Sequence, residues 1–180
     1  MRQNIEDLIN CFIINTLKAT HLLYSNSLYG HLMVVIYSSI DSMGLLDAPA
    51  NQTSASGQSF KDWVNKYMLT YPGLEFNEVD FWAARCSVLH TFTAQSDLSS
   101  AGKARQIQYC SGPKDSPMAL AFFTATRQID SGAHVPAHIE DTYLAFLDGL
   151  EKFASDLLEN CKRSQSHESR LRNVLQQFAL

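Results

Sequence analysis

The sequence predicts a mainly α protein, built as a bundle of five to six helices with one small inserted β-hairpin. Three observations lead to this prediction. Apolar residues recur at three- and four-residue steps through most of the chain, which is typical of helices with one buried face. Breaker-rich stretches separate these segments. A different texture, short and rich in aromatic and β-branched residues, occurs around residues 105–126. With 180 residues, the chain is expected to form a single domain over residues 1–180.

The first two helices are predicted between residues 4 and 46. Asn4 is a candidate N-cap for a first helix that reaches about Tyr24 and has acidic residues in its first turn. A second helix is expected from about Ser25 to Leu46. One of its faces is apolar at helical spacing, through Leu28, Leu32, Val35, Ile36, Ile40 and Met43. Residues 47–58 are small, polar and rich in helix breakers, so they predict a loop.

Two further helices are predicted in the middle of the chain. Ser59 is expected to cap a short third helix, which the sequence Tyr71-Pro72-Gly73 ends. A fourth helix is expected from about Asn77 into the mid-nineties. This fourth helix carries the polar motif described below.

The remaining elements are the hairpin and the C-terminal helices. Arg105–Cys110 and Met118–Thr126 are predicted as its two strands, because the turn sequence Ser111-Gly112-Pro113 separates them. Residues 132–136 are expected to form another loop. Helical periodicity then returns, and it predicts helices over residues 139–180. The last amphipathic segment carries Leu171, Val174, Leu175 and Phe178.

Composition and charge exclude several classes of protein. An apolar fraction of 46% with 18% charged residues is ordinary for a soluble globular protein. The net charge of -4 argues against a broad nucleic-acid-coating surface, although a small phosphate site remains compatible with it. The four cysteines form no C-x-x-C pair, so neither a zinc knuckle nor a redox motif is predicted. Without a secretion signal or a membrane-length apolar run, the protein is predicted to be cytoplasmic, with no membrane association.

The fourth helix contains the hexapeptide Arg85-Cys86-Ser87-Val88-Leu89-His90. Arginine binds phosphate with a planar, permanently charged fork. Histidine accepts and donates protons near neutral pH. These two side chains are the minimum needed to cleave a phosphodiester without a metal ion, so Arg85 and His90 are candidate catalytic residues.

The spacing within this motif predicts how the two side chains lie around the helix. Successive residues advance by about 100°, so Trp82, Cys86 and Leu89 form one stripe, which we expect to be buried. Arg85 and His90 then flank this stripe, about 140° apart around the axis. On one straight helix their tips do not meet. A twofold dimer that pairs two antiparallel copies of the helix could bring Arg85 of one copy near His90 of the other.

The motif and its surroundings resemble the HEPN superfamily (higher eukaryotes and prokaryotes nucleotide-binding), in particular its uncharacterised bacterial members. The shared features are the spacing Arg85-x-x-x-x-His90 late in a helical bundle and an aromatic residue, Trp82, three positions before the arginine. The Ile40-Asp41 pair near the end of an apolar helix is similar as well. The resemblance covers about residues 20–160. One departure is Cys86, since many active members have a polar residue directly after the arginine.

The resemblance implies an all-α domain that dimerises and cleaves RNA without a metal ion or other cofactor, as toxins and defence ribonucleases do. His90 would act as general acid or base and Arg85 would hold the scissile phosphate. Asp41 would be the acidic partner from an earlier helix and is a candidate substrate-binding residue. The implied partners are a second copy of the chain, RNA or a nucleotide, and an antitoxin-like protein.

Other charged residues and histidines are weaker candidates. Lys103 and Arg105 follow the motif helix and are candidate substrate-binding residues, with solvated loop charges as the alternative. His134 and His138 have a spacing that binds zinc on a helix, but Pro136 between them favours a surface loop. No metal site is therefore predicted.

Two alternatives to catalysis remain open at this point. One is a non-catalytic domain of the same fold that binds a nucleotide or a protein partner. The other is a purely structural motif, in which Arg85 reaches from the edge of the core to a carboxylate and His90 packs against Phe92.

Overall fold

The computed structural model describes residues 4–174, and most of them are helical. The helices are α1 (Ile5–Ser25), α2 (Tyr29–Asp47), α3 (Gly57–Trp63, continued by a π-helical turn over Val64–Met68), α4 (Glu78–Thr91), α5 (Asp97–Ser100), α6 (Pro117–Gln128, followed by a 3-10 turn over Ile129–Gly132), α7 (Ile139–Arg163) and α8 (Gln165–Val174). Two strands, β1 (Gln106–Cys110) and β2 (His134–His138), complete the fold. The predicted mainly α class is therefore confirmed, but the described residues form eight α-helices and not five to six.

Helix α2 forms the centre of the bundle. It packs against α1, α3, α4, α7 and α8. Its side chains Leu32, Ile36 and Ile40 are completely buried. Gly44 allows α3 to approach closely, since a Cβ at this position would lie 2.5 Å from the carbonyl oxygen of Ser59. This packing fixes α2 and with it the position of Asp41, which directly follows Ile40.

The predicted β-hairpin is wrong, because the two strands are parallel and do not follow each other directly. β1 pairs with β2 from Gln106–His134 to Cys110–His138, and α6 crosses between them. The segment predicted as the second strand is helix α6. Its first turn is set by Ser116, whose hydroxyl accepts the Ala119 N–H at 3.1 Å, and by Pro117, which suits the first position of a helix.

The predicted loop at residues 132–136 overlaps the true second strand. Val135, Pro136 and Ala137 are buried, and a continuous buried run is typical of parallel strands. In a two-stranded sheet each strand is an edge strand. Proline has no backbone N–H to donate, and an edge strand tolerates this because only one of its sides is paired. The surface-loop interpretation of His134 and His138 is therefore wrong.

Smaller differences concern the ends of the helices. α2 begins at Tyr29 and not near Ser25. The cap of α3 is Ser56, and Ser59 is its partner in a reciprocal capping box. α4 ends at Thr91, earlier than predicted. Of the predicted last amphipathic segment, Leu175 and Phe178 lie outside the described residues.

None of the helices in the described part of the chain combines the length and the hydrophobicity that a membrane-spanning helix requires.

Candidate active site

The candidate site is built on α4, whose first turn is held by a capping box. The Asn77 side-chain oxygen accepts the N–H groups of Val79 and Asp80, at 3.0 and 2.9 Å. In return, the Asn77 N–H donates to Asp80 Oδ2 at 3.1 Å. Such reciprocal bonds satisfy donors that a helix start leaves open. The helix start predicted at about Asn77 is confirmed.

Asp80 also anchors Arg105, one of the two predicted substrate-binding cations. The Arg105 guanidinium donates to Asp80 Oδ2 through Nε (3.0 Å) and Nη2 (2.6 Å), and its backbone N–H donates to Asp80 Oδ1 at 2.7 Å. Nη2 also donates to the carbonyl of Glu75 at 2.9 Å. Since the Asp80 side chain is only 2% exposed, this ion pair is a buried link between α4 and the start of β1. Arg105 thus has a structural role, and its binding of substrate stays a prediction.

The buried face of α4 differs from the predicted one. Phe81, Ala84 and Ser87 are buried, whereas the side chains expected to be buried are only half-buried: Trp82, Cys86 and Leu89. The orientation of α4 is set by contacts with other elements, namely Trp82 with Phe60 of α3 and Arg85 with Asp41 of α2.

The bulky Trp82 packs at the edge of α3 instead. Its indole lies 5.2 Å from the Phe60 ring, centroid to centroid. It also occupies the space above Gly57, where a Cβ would lie 2.9 Å from the indole. Hydrophobic periodicity alone did not distinguish this edge position from a core position.

This rotation of α4 changes the surroundings of the catalytic candidates. The ridge formed by Trp82, Cys86 and Leu89 is the partly exposed side of α4, and Arg85 and His90 flank it. The two residues therefore border one outward-facing surface. They are separated by five residues, which is about 7.5 Å along the helix axis.

Arg85 is held by Asp41 of α2, which is the contact with a carboxylate that the structural alternative expects. Both Nε (2.9 Å) and Nη2 (2.6 Å) donate to the same oxygen, Oδ2, of the Asp41 carboxylate. The side chains of Arg85 and Asp41 are 19% and 20% exposed, so the pair lies at the border between core and solvent. The guanidinium carbon lies 5.0 Å from the Trp82 ring centroid, within the range of a cation–π contact. Asp41 and Trp82 therefore fix the guanidinium plane, and the edge that carries Nη1 is not used by Asp41.

His90 lies in the last turn of α4, and its side chain is exposed. It does not form the predicted structural contact with Phe92, whose ring packs against His31 at 5.6 Å. A groove of about 480 Å³ begins at His90. It is lined by Trp82, Cys86, Ser87, His90, Thr91, Gln95, Ser96, Asp97 and Leu98.

Electrostatics make Cys86 an unsuitable nucleophile in this groove. Burial raises the pKa of its thiol, and the nearby carboxylates of Asp41 and Asp97 raise it further, against the opposing effect of Arg85. The thiol therefore stays protonated near neutral pH, and a thiolate is the reactive form of cysteine. His90 and Asp97 are the other ionisable side chains that line the groove.

Lys103 and His138 lie outside the Arg85–Asp41 pair and in different surroundings. Lys103 is exposed and follows α5, the helix that contributes Asp97 and Leu98 to the groove; its substrate-binding role stays a prediction. His138 is buried beneath the loop after β1, with Nε2 2.7 Å from the Gly112 carbonyl and 3.0 Å from Glu140 Oε2. Within residues 4–174, no three His, Cys, Asp or Glu side chains are grouped as metal ligands would be.

The comparisons with known proteins give no identification, since no family model, no curated protein and no solved structure matches the chain.

Proposed function

We propose that this protein is a HEPN-like, metal-independent endoribonuclease that acts as a homodimer in the cytoplasm, with Arg85 and His90 as its catalytic residues. The observation that carries the proposal is the arrangement of these side chains on α4. A guanidinium oriented by Asp41 and Trp82 and an exposed imidazole flank the same outward ridge. A purely structural arginine and histidine would not need to share an accessible surface.

The reaction needs only groups that this chain, RNA and water supply. His90 accepts the proton of the ribose 2′-hydroxyl, and the resulting oxygen attacks the adjacent phosphorus. The bond to the 5′-oxygen of the next nucleotide breaks, and this leaving oxygen takes up a proton from water. The products are a 2′,3′-cyclic phosphate and a 5′-hydroxyl end. Arg85 binds the phosphate through the guanidinium edge that Asp41 does not use, and it stabilises the charge that builds up on the phosphate oxygens.

A dimer supplies the proximity that one helix lacks. The ridge of Trp82, Cys86 and Leu89 is partly exposed and mainly apolar, which suits the centre of a self-complementary interface. Two antiparallel copies of α4 packed along this ridge would set Arg85 of one copy beside His90 of the other. RNA would then bind at the two ends of the shared ridge, so a broadly basic surface is not required.

The proposal is tested with purified protein and an end-labelled RNA in the presence of EDTA. Wild-type protein should cleave the RNA to cyclic-phosphate ends and leave DNA of the same sequence intact, because DNA lacks the 2′-hydroxyl. His90→Ala should reduce the rate by about 10²- to 10⁴-fold, the usual contribution of a general acid or base. The matched control is His21→Ala, since His21 is also an exposed helical histidine but lies on α1. Cleavage that His90→Ala leaves unchanged, or that stops on addition of EDTA, would contradict the proposal.

Expression in bacteria tests the proposed biological role. A toxin or defence ribonuclease should arrest growth, and His90→Ala should abolish the arrest. A neutralising protein partner would restore growth with the wild-type protein. Tight binding of a nucleotide with no breakdown of RNA would instead support the non-catalytic alternative.

A further inference from the structure

A second cavity adjoins α4 and shares the lining residue Ser87 with the groove at His90. Its volume is about 290 Å³, and it is bounded by the start of α2, by α4, by β1 and by the first residue of α7. The parallel strands end at its floor, where Tyr109–Ser111 and Ile139 contribute. The edge at which parallel strands end is a common place for ligands. Nothing in the ribonuclease proposal uses this cavity.

The lining of the cavity defines the chemistry of its ligand. The walls are mainly apolar, with Met33, Val88 and Ile107 among them, and none of the residues that line it carries a charged side chain. Burying a charged group here would leave its charge without a partner. The ligand must therefore be neutral and largely apolar.

Volume sets the size of that ligand. An apolar protein cavity of about 150 Å³ is known to bind benzene. This cavity is about twice as large, so it matches a molecule of two fused rings.

The hydroxyl of Ser87 adds a polar requirement. Ser87 is buried and lines the cavity, and its hydroxyl donates to the Ala84 carbonyl at 2.9 Å. A serine hydroxyl has one proton, and Ser87 uses it in this bond. Towards a ligand, its oxygen can therefore act only as a hydrogen-bond acceptor. A fitting ligand therefore carries an O–H or N–H group.

Phe92 lines the cavity beside Gly30 and has an unusual backbone conformation. It caps α4 in the left-handed conformation (φ 54°, ψ 31°), which is an outlier for a bulky residue, and its side chain is 58% exposed. Gly30 makes room for the ring, since a Cβ there would lie 2.8 Å from Phe92 Cζ. A strained backbone that holds an exposed aromatic ring over an apolar cavity is the kind of outlier that marks ligand clamps.

From these observations we propose that the cavity between α2, α4 and β1 is a binding site for a small, neutral, bicyclic aromatic molecule with one hydrogen-bond donor. The site shares the lining residue Ser87 with the groove at His90, but neither Arg85 nor His90 lines it.

The test uses 2-naphthol as the probe and 2-methylnaphthalene, which lacks the donor, as its matched partner. Binding is measured by amide chemical-shift titration of the full chain. 2-Naphthol should bind saturably, with shifts at Gly30, Val88 and Phe92, and about 3- to 10-fold more tightly than 2-methylnaphthalene, as one hydrogen bond allows. Absence of saturable binding, or shifts confined to other parts of the chain, would overturn the proposal.

Two variants separate this site from nonspecific binding. Val88→Phe fills the cavity and should abolish binding of both probes, while Leu144→Phe, at an exposed position on α7, should leave it unchanged. Ser87→Ala should keep binding but remove the preference for 2-naphthol, which tests the site even if Val88→Phe does not fold. A preserved preference in Ser87→Ala would contradict the proposal. Concentration-dependent shifts at the cavity without any probe, combined with no response to 2-naphthol, would identify a second copy of the chain as the occupant instead and overturn it.

Discussion

Replacing Asp80 by asparagine should destabilise the protein more than any other single charge removal around α4. The Asp80 side chain is 2% exposed and accepts four N–H groups, three from Arg105 and one from Asn77. Asparagine has nearly the same shape, so it leaves no cavity. It has only one acceptor oxygen, however, and its NH₂ group would face at least one of the buried donors.

The size of the effect follows from these contacts. Removing one partner of a buried ion pair costs about 3–5 kcal/mol. Because the Arg105 side chain is 39% exposed, solvent compensates part of its lost pairing, so we expect a loss of about 2–4 kcal/mol. For a chain of this length, each kcal/mol lowers Tm by about 2–4 °C, which gives a decrease of roughly 4–16 °C.

Urea and thermal unfolding measure this loss directly. The urea midpoint of Asp80→Asn should fall with little change in the slope m, since the folded and unfolded surfaces stay the same. Glu78→Gln is the matched control, because it removes the same charge from the same helical turn and should cost less than about 1 kcal/mol. If Asp80→Asn were as stable as Glu78→Gln, the assignment of Arg105 to a structural ion pair would be refuted.

Two further predictions concern packing and pH. Gly44→Ala should lower the free energy of unfolding by about 1–3 kcal/mol in a urea titration, because its Cβ would lie 2.5 Å from the carbonyl oxygen of Ser59. Ser38→Ala is the control, since it changes an exposed position of the same helix and should have little effect. Equal stability of the two variants would refute the close contact. Burial and the neighbouring Arg170 lower the pKa of His167 in the folded protein below its usual 6.5. As the pH decreases, the unfolded chain therefore takes up a proton on His167 before the folded protein does. The free energy of unfolding should fall as the pH decreases through and below 6.5. His167→Gln should make the free energy of unfolding depend less on pH between about pH 8 and about pH 5, and an unchanged dependence would show that His167 does not contribute.

The long helices could be predicted from the sequence because their signals are local. α2 and α7 repeat apolar residues at helical spacing over several turns, and this pattern agrees with the final packing except at Leu28, which precedes α2 and is 48% exposed. The strand prediction for Met118–Thr126 was wrong because the aromatic and β-branched residues of this segment fit both a strand and a helix. The sequence Ser116-Pro117 is the local signal that indicates a helix start there.

The candidate site depends on contacts that sequence patterns do not encode. Arg85 and Asp41 are 44 residues apart, and they were connected through the resemblance to HEPN domains and not through periodicity. The orientation of α4 was predicted wrongly because the wheel ranks residues by hydrophobicity. The contacts of Trp82 with Phe60 and of Arg85 with Asp41 turn the small side chains of Ala84 and Ser87 towards the interior instead. The cavity beside α4 is formed by four separate elements, so no local signal could have located it.

Mixing two inactive variants tests most directly whether Arg85 and His90 act together across a dimer. Arg85→Ala and His90→Ala homodimers should each lack RNA cleavage. After subunit exchange, about half of the dimers are mixed, and each has one site with both residues intact, so activity should return to about one quarter of the wild-type level. No recovery of cleavage, although native mass spectrometry detects the mixed dimers, would contradict a catalytic site shared between the two copies.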